Sequence, residues 1–326
     1  MKGTSMNYHR SRTIGQWLSK LAKDWGVRLL AAAIATQLLG GIALAAEPKT
    51  FGTPEEAAKA MVDALRADNR DALLVIFGDE GKGLLDSGDP VADKNAIANF
   101  LKAYDQMHRF SGGSDVKLVL LVGAENWPAP IPVAKNSSGW YFDTPSAKQE
   151  LLYRRIGENE SSAIRILNAI VVGEHEYFGQ SHDDDITNQY AQKFLSDPGK
   201  RNGLFWKVSA GEQESPIGPL VATASEEGYR ANPEGKPVPI HGYIFKILTR
   251  QGKAAPGGAK EYLVDGKMSG GFAVLAYPAS YRQSGVMTFM ANADGLILQK
   301  DLGDETKDLV SSMTSYDPDG SWQRAQ

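Results

Sequence analysis

Two kinds of hydrophobic spacing divide the chain. Between residues 145 and 178, apolar positions such as Leu167 and Ile170 recur at steps of three and four, which predicts one long amphipathic helix. Between residues 241 and 300, short apolar runs lie between turn residues, and Asn292-Ala-Asp-Gly295 is typical of a hairpin turn. The spacing therefore predicts an α+β protein in which a long helix precedes an antiparallel sheet.

Shorter elements surround these two regions. Thr53-Pro-Glu-Glu56 combines a capping threonine, a first-turn proline and the acidic third position of a capping box, which predicts a helix start. Gly157 is a candidate for a kink or a domain boundary in the long helix. The other patterns predict helices at 71–77, 89–107, 188–195, 220–229 and 304–313, strands at 116–122, 139–143, 241–248, 272–277, 286–291 and 296–299, and a proline-rich edge arm at 127–133.

The first 46 residues have the features of an export signal. Six basic residues precede an apolar, alanine-rich stretch from Leu29 to Ala46, and Ala43-Leu-Ala45 is a small-x-small cleavage motif. The apolar stretch is only 18 residues long, which favours cleavage, with an uncleaved anchor as the alternative. We therefore expect a periplasmic or secreted protein that has no membrane segment after the signal is removed.

The rest of the chain is acidic, and the protein contains no cysteine. Six of the 35 basic and one of the 39 acidic residues lie in the first 46, so the remainder carries 29 basic and 38 acidic side chains, a net charge of −9. Because binding to phosphate backbones depends on basic clusters, nucleic acids and anionic membranes are poor candidate partners. The lack of cysteine excludes disulfides, thiolate catalysis and cysteine-ligated metals.

Two parts of the chain resemble known folds. The helices and strands of residues 47–157, with the segments Thr53-Pro-Glu-Glu-Ala-Ala58 and Leu65-Arg-Ala-Asp-Asn-Arg-Asp-Ala72, resemble the cone of nuclear-transport-factor-2-like proteins. Residues 158–326, where Asn159-Glu-x-x-Ala163 precedes the strand-rich tail, resemble a pseudopilin-like head. Pilins place their assembly helix at the mature N-terminus, whereas this helix is internal. The second resemblance therefore implies a long helix packed on an antiparallel sheet, but not assembly into a pilus.

Nearly the whole chain after the leader resembles a bacterial exported family called domain of unknown function 2950. The matching segments include Ser87-Gly-Asp-Pro-Val-Ala-Asp93, Trp127-Pro-Ala-Pro-Ile-Pro132, Pro198-Gly-Lys-Arg-Asn-Gly-Leu-Phe-Trp206 and His241-Gly-Tyr243. The resemblance implies no known activity, so the functional hypothesis depends on the residues themselves.

One acidic segment is a candidate metal site. Within His182-Asp-Asp-Asp-Ile-Thr-Asn188, the side-chain oxygens of Asp183, Asp185 and Asn188 are the hard ligands that calcium prefers. Calcium loops use a glycine for their tight turn, and this segment has none. The alternative is a solvated acidic loop, so we expect no cofactor beyond weak calcium binding, with a dissociation constant no lower than about 10⁻⁴ M.

Five residues are candidates for ligand binding: Trp127, Trp140, Tyr141, Trp206 and His241. The aromatic side chains could line a cleft, and core packing is the alternative, because large aromatics dominate burial. For His241 the alternative is a structural hydrogen bond at the start of a strand. The sequence contains neither a His-Glu-x-x-His pair nor a Gly-x-Ser-x-Gly elbow, so no catalytic residue is predicted.

These patterns predict a signal peptide at 1–46, an N-terminal α+β unit at 47–157 and a C-terminal unit of helix and sheet at 158–326. They favour an exported, non-enzymatic envelope or periplasmic module whose partner is a protein, a peptide or another envelope component. Two alternatives stay open, namely a periplasmic small-ligand-binding protein and a hydrolase whose site has no recognisable motif.

Overall fold

Helices and antiparallel strands follow one another in two groups along the chain. The computed structural model describes residues 47–183, 188–209, 211–232 and 236–325. The predicted signal peptide at 1–46 and the candidate metal ligand Asp185 lie outside the described residues. These described residues belong to one compact unit.

The helices of the described residues begin and end close to the predicted positions. At the first of them, Glu56 N donates to Thr53 Oγ1 and Gly52 N donates to Glu56 Oε2, which forms the expected reciprocal cap. The described α-helices are α1 Pro54–Arg66, α2 Arg70–Phe77, α3 Pro90–Gln106, α4 Thr144–Phe178, α5 Gly218–Glu227 and α6 Thr306–Ser312, with a short 3-10 helix at Asp79–Gly83.

The strands in this part of the chain form two larger antiparallel sheets and one short pair. The strands are β1 His108–Ser114, β2 Lys117–Val122, β3 Trp127–Pro128, β4 Val133–Asn136, β5 Gly139–Phe142, β6 Tyr243–Leu248, β7 Arg250–Gln251, β8 Lys260–Glu261, β9 Ala273–Pro278, β10 Met287–Asn292, β11 Ile297–Asp301 and β12 Gln323–Arg324. The first sheet has the order β1-β2-β4-β5, and β3 also pairs with β2. The second has the order β12-β11-β10-β9-β6, and β7 pairs with β8.

The first sheet and helices α1 to α3 enclose one hydrophobic core. Helices α1 and α2 contact β5, while α3 contacts β1 and β2. The rings of Phe77 and Phe142 meet edge to face with their centroids 5.2 Å apart, which links α2 to β5. The residues buried in this core are Ala57, Ala58, Met61, Val62, Ala64, Leu73, Ile76, Phe77, Leu120, Val122, Val133, Trp140 and Phe142.

The second core lies between α4 and the second sheet. The buried face of α4 includes Ala163, Leu167 and Ile170, as the three- and four-residue spacing predicts, and it packs on β6, β9 and β10. Leu275 of β9 is fully buried, because the sheet is covered at its centre. The two cores lie within one compact unit, and the predicted domain boundary near residue 157 stays a prediction.

Three local features differ from the sequence-based expectations. Helix α4 continues through Gly157 without a break. Strand β1 follows α3 directly, although no strand was expected there. The helix predicted at 188–195 is wrong, because backbone groups of this segment bond to distant residues: Tyr190 N donates to Met268 O at 2.9 Å, and Phe205 N donates to Phe194 O at 2.8 Å.

Candidate functional site

The candidate ligand-binding aromatics occupy different environments. Trp140 is buried in the first core and Trp206 in the second, so these two rings do not share a cleft. Tyr141, the neighbour of Trp140 on β5, is half-buried. Trp127 is 63% exposed. Ligand binding by these residues stays a prediction, and Trp127 is the one whose ring is largely open to solvent.

Trp127 lies on a short edge strand that the first sheet holds in place. Strand β3 pairs with β2 through Trp127 opposite Val122 and Pro128 opposite Leu121. The indole Nε1 of Trp127 donates to Glu125 Oε2 at 3.0 Å. An indole has only this one polar group, so the exposed part of the ring offers apolar contact.

A second exposed aromatic side chain lies on α4, next in sequence to a residue that bonds this strand. Arg154 Nη1 donates to Pro128 O at 2.9 Å, which fixes α4 to the strand. Tyr153, which precedes Arg154 in α4, is 60% exposed. Its hydroxyl accepts a hydrogen bond from Gln149 Nε2. We call Trp127 and Tyr153 the aromatic face.

His241 belongs to a polar cluster that links the two groups of elements. Asp89 caps α3, accepting from Val91 N and Ala92 N through Oδ1. Its Oδ2 accepts from Tyr229 OH at 2.8 Å and from Gly242 N at 3.3 Å.

The remaining contacts of the cluster come from α5 and the residues around it. His241 N donates to Tyr229 OH at 3.1 Å. His241 Nε2 lies 3.0 Å from Glu227 Oε2, a close approach without hydrogen-bond alignment that becomes an ion pair when the imidazole is protonated. We call Asp89, Glu227, Tyr229 and His241 the polar junction. Its described bonds join distant parts of the chain, and ligand binding by His241 stays a prediction.

The candidate metal residues are only partly described. Both side-chain oxygens of Asp183 accept from Arg201 N at 3.1 Å, so a protein donor already uses this carboxylate. Asn188 is exposed, and Asp185 lies outside the described residues. Among the described residues, no group of three or more histidines and carboxylates could hold a metal ion. Calcium binding at Asp183, Asp185 and Asn188 stays a prediction.

Glu174 is a carboxyl group buried in the second core. It is fully buried on α4, where its Oε2 accepts from Ala191 N at 2.8 Å. Oε1 has no hydrogen-bond partner among the described residues. Burial raises the pKa of Glu174 to about 8, and the bond from Ala191 N opposes this rise only in part. The side chain therefore holds its proton at neutral pH.

A family model described as a protein of unknown function (DUF2950) matches residues 48–325. The chain belongs to this family. The match confirms the resemblance stated from the sequence segments. No curated protein and no solved structure matches the chain. No helix among the described residues of this DUF2950 protein is both long and apolar enough to cross a membrane.

Sequence reasoning missed Glu174 and most of the polar junction of this DUF2950 protein. Glu174 follows Ile170 by four positions and precedes Tyr177 by three, so the spacing of the buried face contained a signal for its burial. The polar junction left no such signal, because Asp89 and Tyr229 lie 140 residues apart. Only the fold brings them together.

Proposed function

We propose that this protein is an exported, non-enzymatic envelope module that binds a protein or peptide through its aromatic face. The observation that carries the proposal is the exposure of two large rings, 63% for Trp127 and 60% for Tyr153. Tryptophan and tyrosine are enriched among the residues that contribute most to binding at protein interfaces. The indole N–H of Trp127 already donates to Glu125, so a partner that covers this ring gains apolar contact without breaking a bond from the indole to water.

The backbone beneath Trp127 is rigid, which favours binding. Prolines at 128, 130 and 132 fix the backbone φ angle at three of the five positions that follow Trp127. The pairing of β3 with β2 restrains the backbone of Trp127 itself. The bond from Arg154 to Pro128 O adds a third restraint. A side chain held in place before binding loses little conformational entropy in a complex.

Site-specific photo-crosslinking in the native host tests the proposal. A photoreactive amino acid at position 127 or 153 is expected to give a covalent adduct of one defined mass, because a partner covers these positions. Val264 is the matched control, because it is 49% exposed and lies in the C-terminal half of the chain. Adducts at 127 and 153 that match those at 264, or no adducts at 127 and 153, would contradict the proposal.

Export is part of the proposal, and it predicts a processed N-terminus. The mature protein is expected to begin at Ala46 or Glu47, because Ala43-Leu-Ala45 and Leu44-Ala-Ala46 are the two small-residue cleavage options. The family match beginning at residue 48 supports a boundary there. N-terminal sequencing of protein from the periplasm or medium measures the start. A chain that begins at Met1 in the soluble cytoplasmic fraction would rule export out.

The finer fold assignment belongs to the same proposal. We propose that residues 47–157 form a cone of the nuclear-transport-factor-2-like type, which is supported by helices α1 to α3 on a five-stranded sheet. A pseudopilin-like arrangement of the C-terminal part is supported by the packing of α4 on the second sheet. An experimental structure compared with both fold types tests this assignment.

A further inference from the structure

A polar pocket lies at the C-terminal end of α4, apart from the aromatic face. Its volume is about 250 Å³. This is smaller than the roughly 300–1,000 Å³ of pockets that take drug-sized ligands, so it has room for one small ring. The lining consists of two phenol rings, three side-chain amides and one ammonium group, from Tyr177, Gln189, Tyr190, Gln192, Lys193 and Asn202.

The segment that supplies four of these residues is held from several sides. Ala191 N donates to the buried carboxyl of Glu174 at 2.8 Å, and Tyr190 N donates to Met268 O at 2.9 Å. The Tyr190 ring stacks on Phe178 with their centroids 4.5 Å apart. Because its backbone and its ring are fixed before a ligand arrives, this lining costs little entropy to order on binding.

Hydrogen-bonding capacity remains on two of the lining residues, Gln192 and Asn202. Gln192 Nε2 donates to Gly266 O at 2.8 Å, and an amide has a second N–H and a carbonyl oxygen that this bond does not use. Asn202 Nδ2 donates to Asp197 Oδ2, which likewise leaves its second N–H. Side-chain amides can donate to one hydroxyl and accept from its neighbour, so a ligand with adjacent hydroxyls matches them.

The pocket has little net charge. Lys193 Nζ lies 2.9 Å from both side-chain oxygens of Asp197, so its charge is matched by a carboxylate. Glu174, whose Oε2 accepts from Ala191 N of this segment, has its pKa raised to about 8 by burial, which leaves it uncharged at neutral pH. Among the described residues that line the pocket, a strongly charged ligand therefore finds no unmatched opposite charge.

We propose that this pocket binds a neutral, hydroxyl-rich ring, a single saccharide unit. The amides of Gln192 and Asn202 and the ammonium group of Lys193 would bond the hydroxyl groups, while the half-buried ring of Tyr190 would contact the apolar C–H groups of the sugar. Such a unit could come from a free sugar or from the end of an envelope glycan. The site is distinct from the aromatic face, so the two proposals can fail independently.

Saturation-transfer-difference NMR on the purified protein tests this site. The neutral probes are methyl β-D-glucopyranoside, methyl N-acetyl-β-D-glucosaminide and the soluble β-1,4-linked tetramer of N-acetylglucosamine, with sodium glucuronate as the charged comparison. At least one neutral probe is expected to bind more tightly than glucuronate. Binding of the tetramer as well as the methyl glycosides indicates a glycan end, whereas binding of the methyl glycosides alone indicates a free sugar.

A pair of glutamine variants connects binding to this pocket. Gln192→Ala is expected to weaken binding about tenfold, the effect of losing one hydrogen bond. Gln283→Ala removes another exposed glutamine, outside the pocket lining, and should leave the affinity unchanged. Thermal unfolding of both variants controls for loss of structure. No binding of any neutral probe, or equal affinities for Gln192→Ala and Gln283→Ala, would overturn the inference.

Discussion

Replacing Asp89 with alanine is expected to lower the free energy of unfolding by about 4 kcal/mol. The loss of the helix cap contributes about 1 kcal/mol of this, and the loss of the charge-assisted hydrogen bonds contributes about 1.5–3 kcal/mol. The carboxylate is only 7% exposed. It accepts from two backbone amides of α3, from Tyr229 OH and from Gly242 N. Alanine leaves these donors without their partner, and it removes the two bonds by which Asp89 joins α3 to Tyr229 and Gly242.

Urea unfolding of matched variants measures this effect. Asn69→Ala is the control, because Asn69 also caps a helix by accepting from Ala72 N, but it is exposed and makes no long-range side-chain bond in the described structure. Asn69→Ala should lower the free energy of unfolding by only about 1 kcal/mol. The loss in the free energy of unfolding for Tyr229→Phe should lie between the losses for Asn69→Ala and Asp89→Ala, because Tyr229→Phe removes one donor to Asp89. Equal losses for Asp89→Ala and Asn69→Ala would show that the polar junction adds no stability.

Stability is expected to decrease as the pH rises from about 5 to about 8, and Glu174→Gln should remove most of this decrease. Burial raises the pKa of Glu174 from 4.5 to about 8 in the folded protein. Between these two values the folded protein holds a proton that the unfolded chain has released. The contribution of Glu174 to the free energy of unfolding is therefore fully present below pH 4.5, and it is lost as the pH rises through the pKa of Glu174 in the folded protein.

The slope of this loss is about 1.4 kcal/mol per pH unit between the two pKa values. Glutamine has no proton to release, and its carbonyl oxygen can still accept from Ala191 N. Glu176→Gln is the matched control, because Glu176 lies two positions away on the same helix and is exposed. Denaturant titrations from pH 5 to 8 that give parallel curves for the two variants would contradict the role of Glu174.

The long helix and the second sheet could be predicted because their signals are local. The steps of three and four residues through Leu167 and Ile170 reflect the face that α4 buries against the sheet. The four strands predicted between 241 and 299 appear as β6, β9, β10 and β11, with bounds shifted by two residues or fewer. Their short apolar runs and turn residues form a pattern that does not depend on distant partners.

The remaining features depend on distant contacts. Residues 188–195 have helix-forming side chains, yet bonds from Tyr190 and Ala191 to Met268 and Glu174 determine their path. The aromatic candidates share one residue type, but Trp140 and Trp206 pack in different cores. Side-chain type alone cannot distinguish an exposed Trp127 from a buried Trp140, because that difference arises from the position of each strand in the sheet.

The most direct test of the proposed function is a calorimetric titration of the purified protein with the partner identified by crosslinking at position 127. Binding by the aromatic face predicts that Trp127→Ala weakens the affinity by about 30-fold or more, since truncating an interface anchor costs roughly 2 kcal/mol or more. Val264→Ala should bind like the unsubstituted protein. Equal affinities for Trp127→Ala and Val264→Ala would contradict the proposed function.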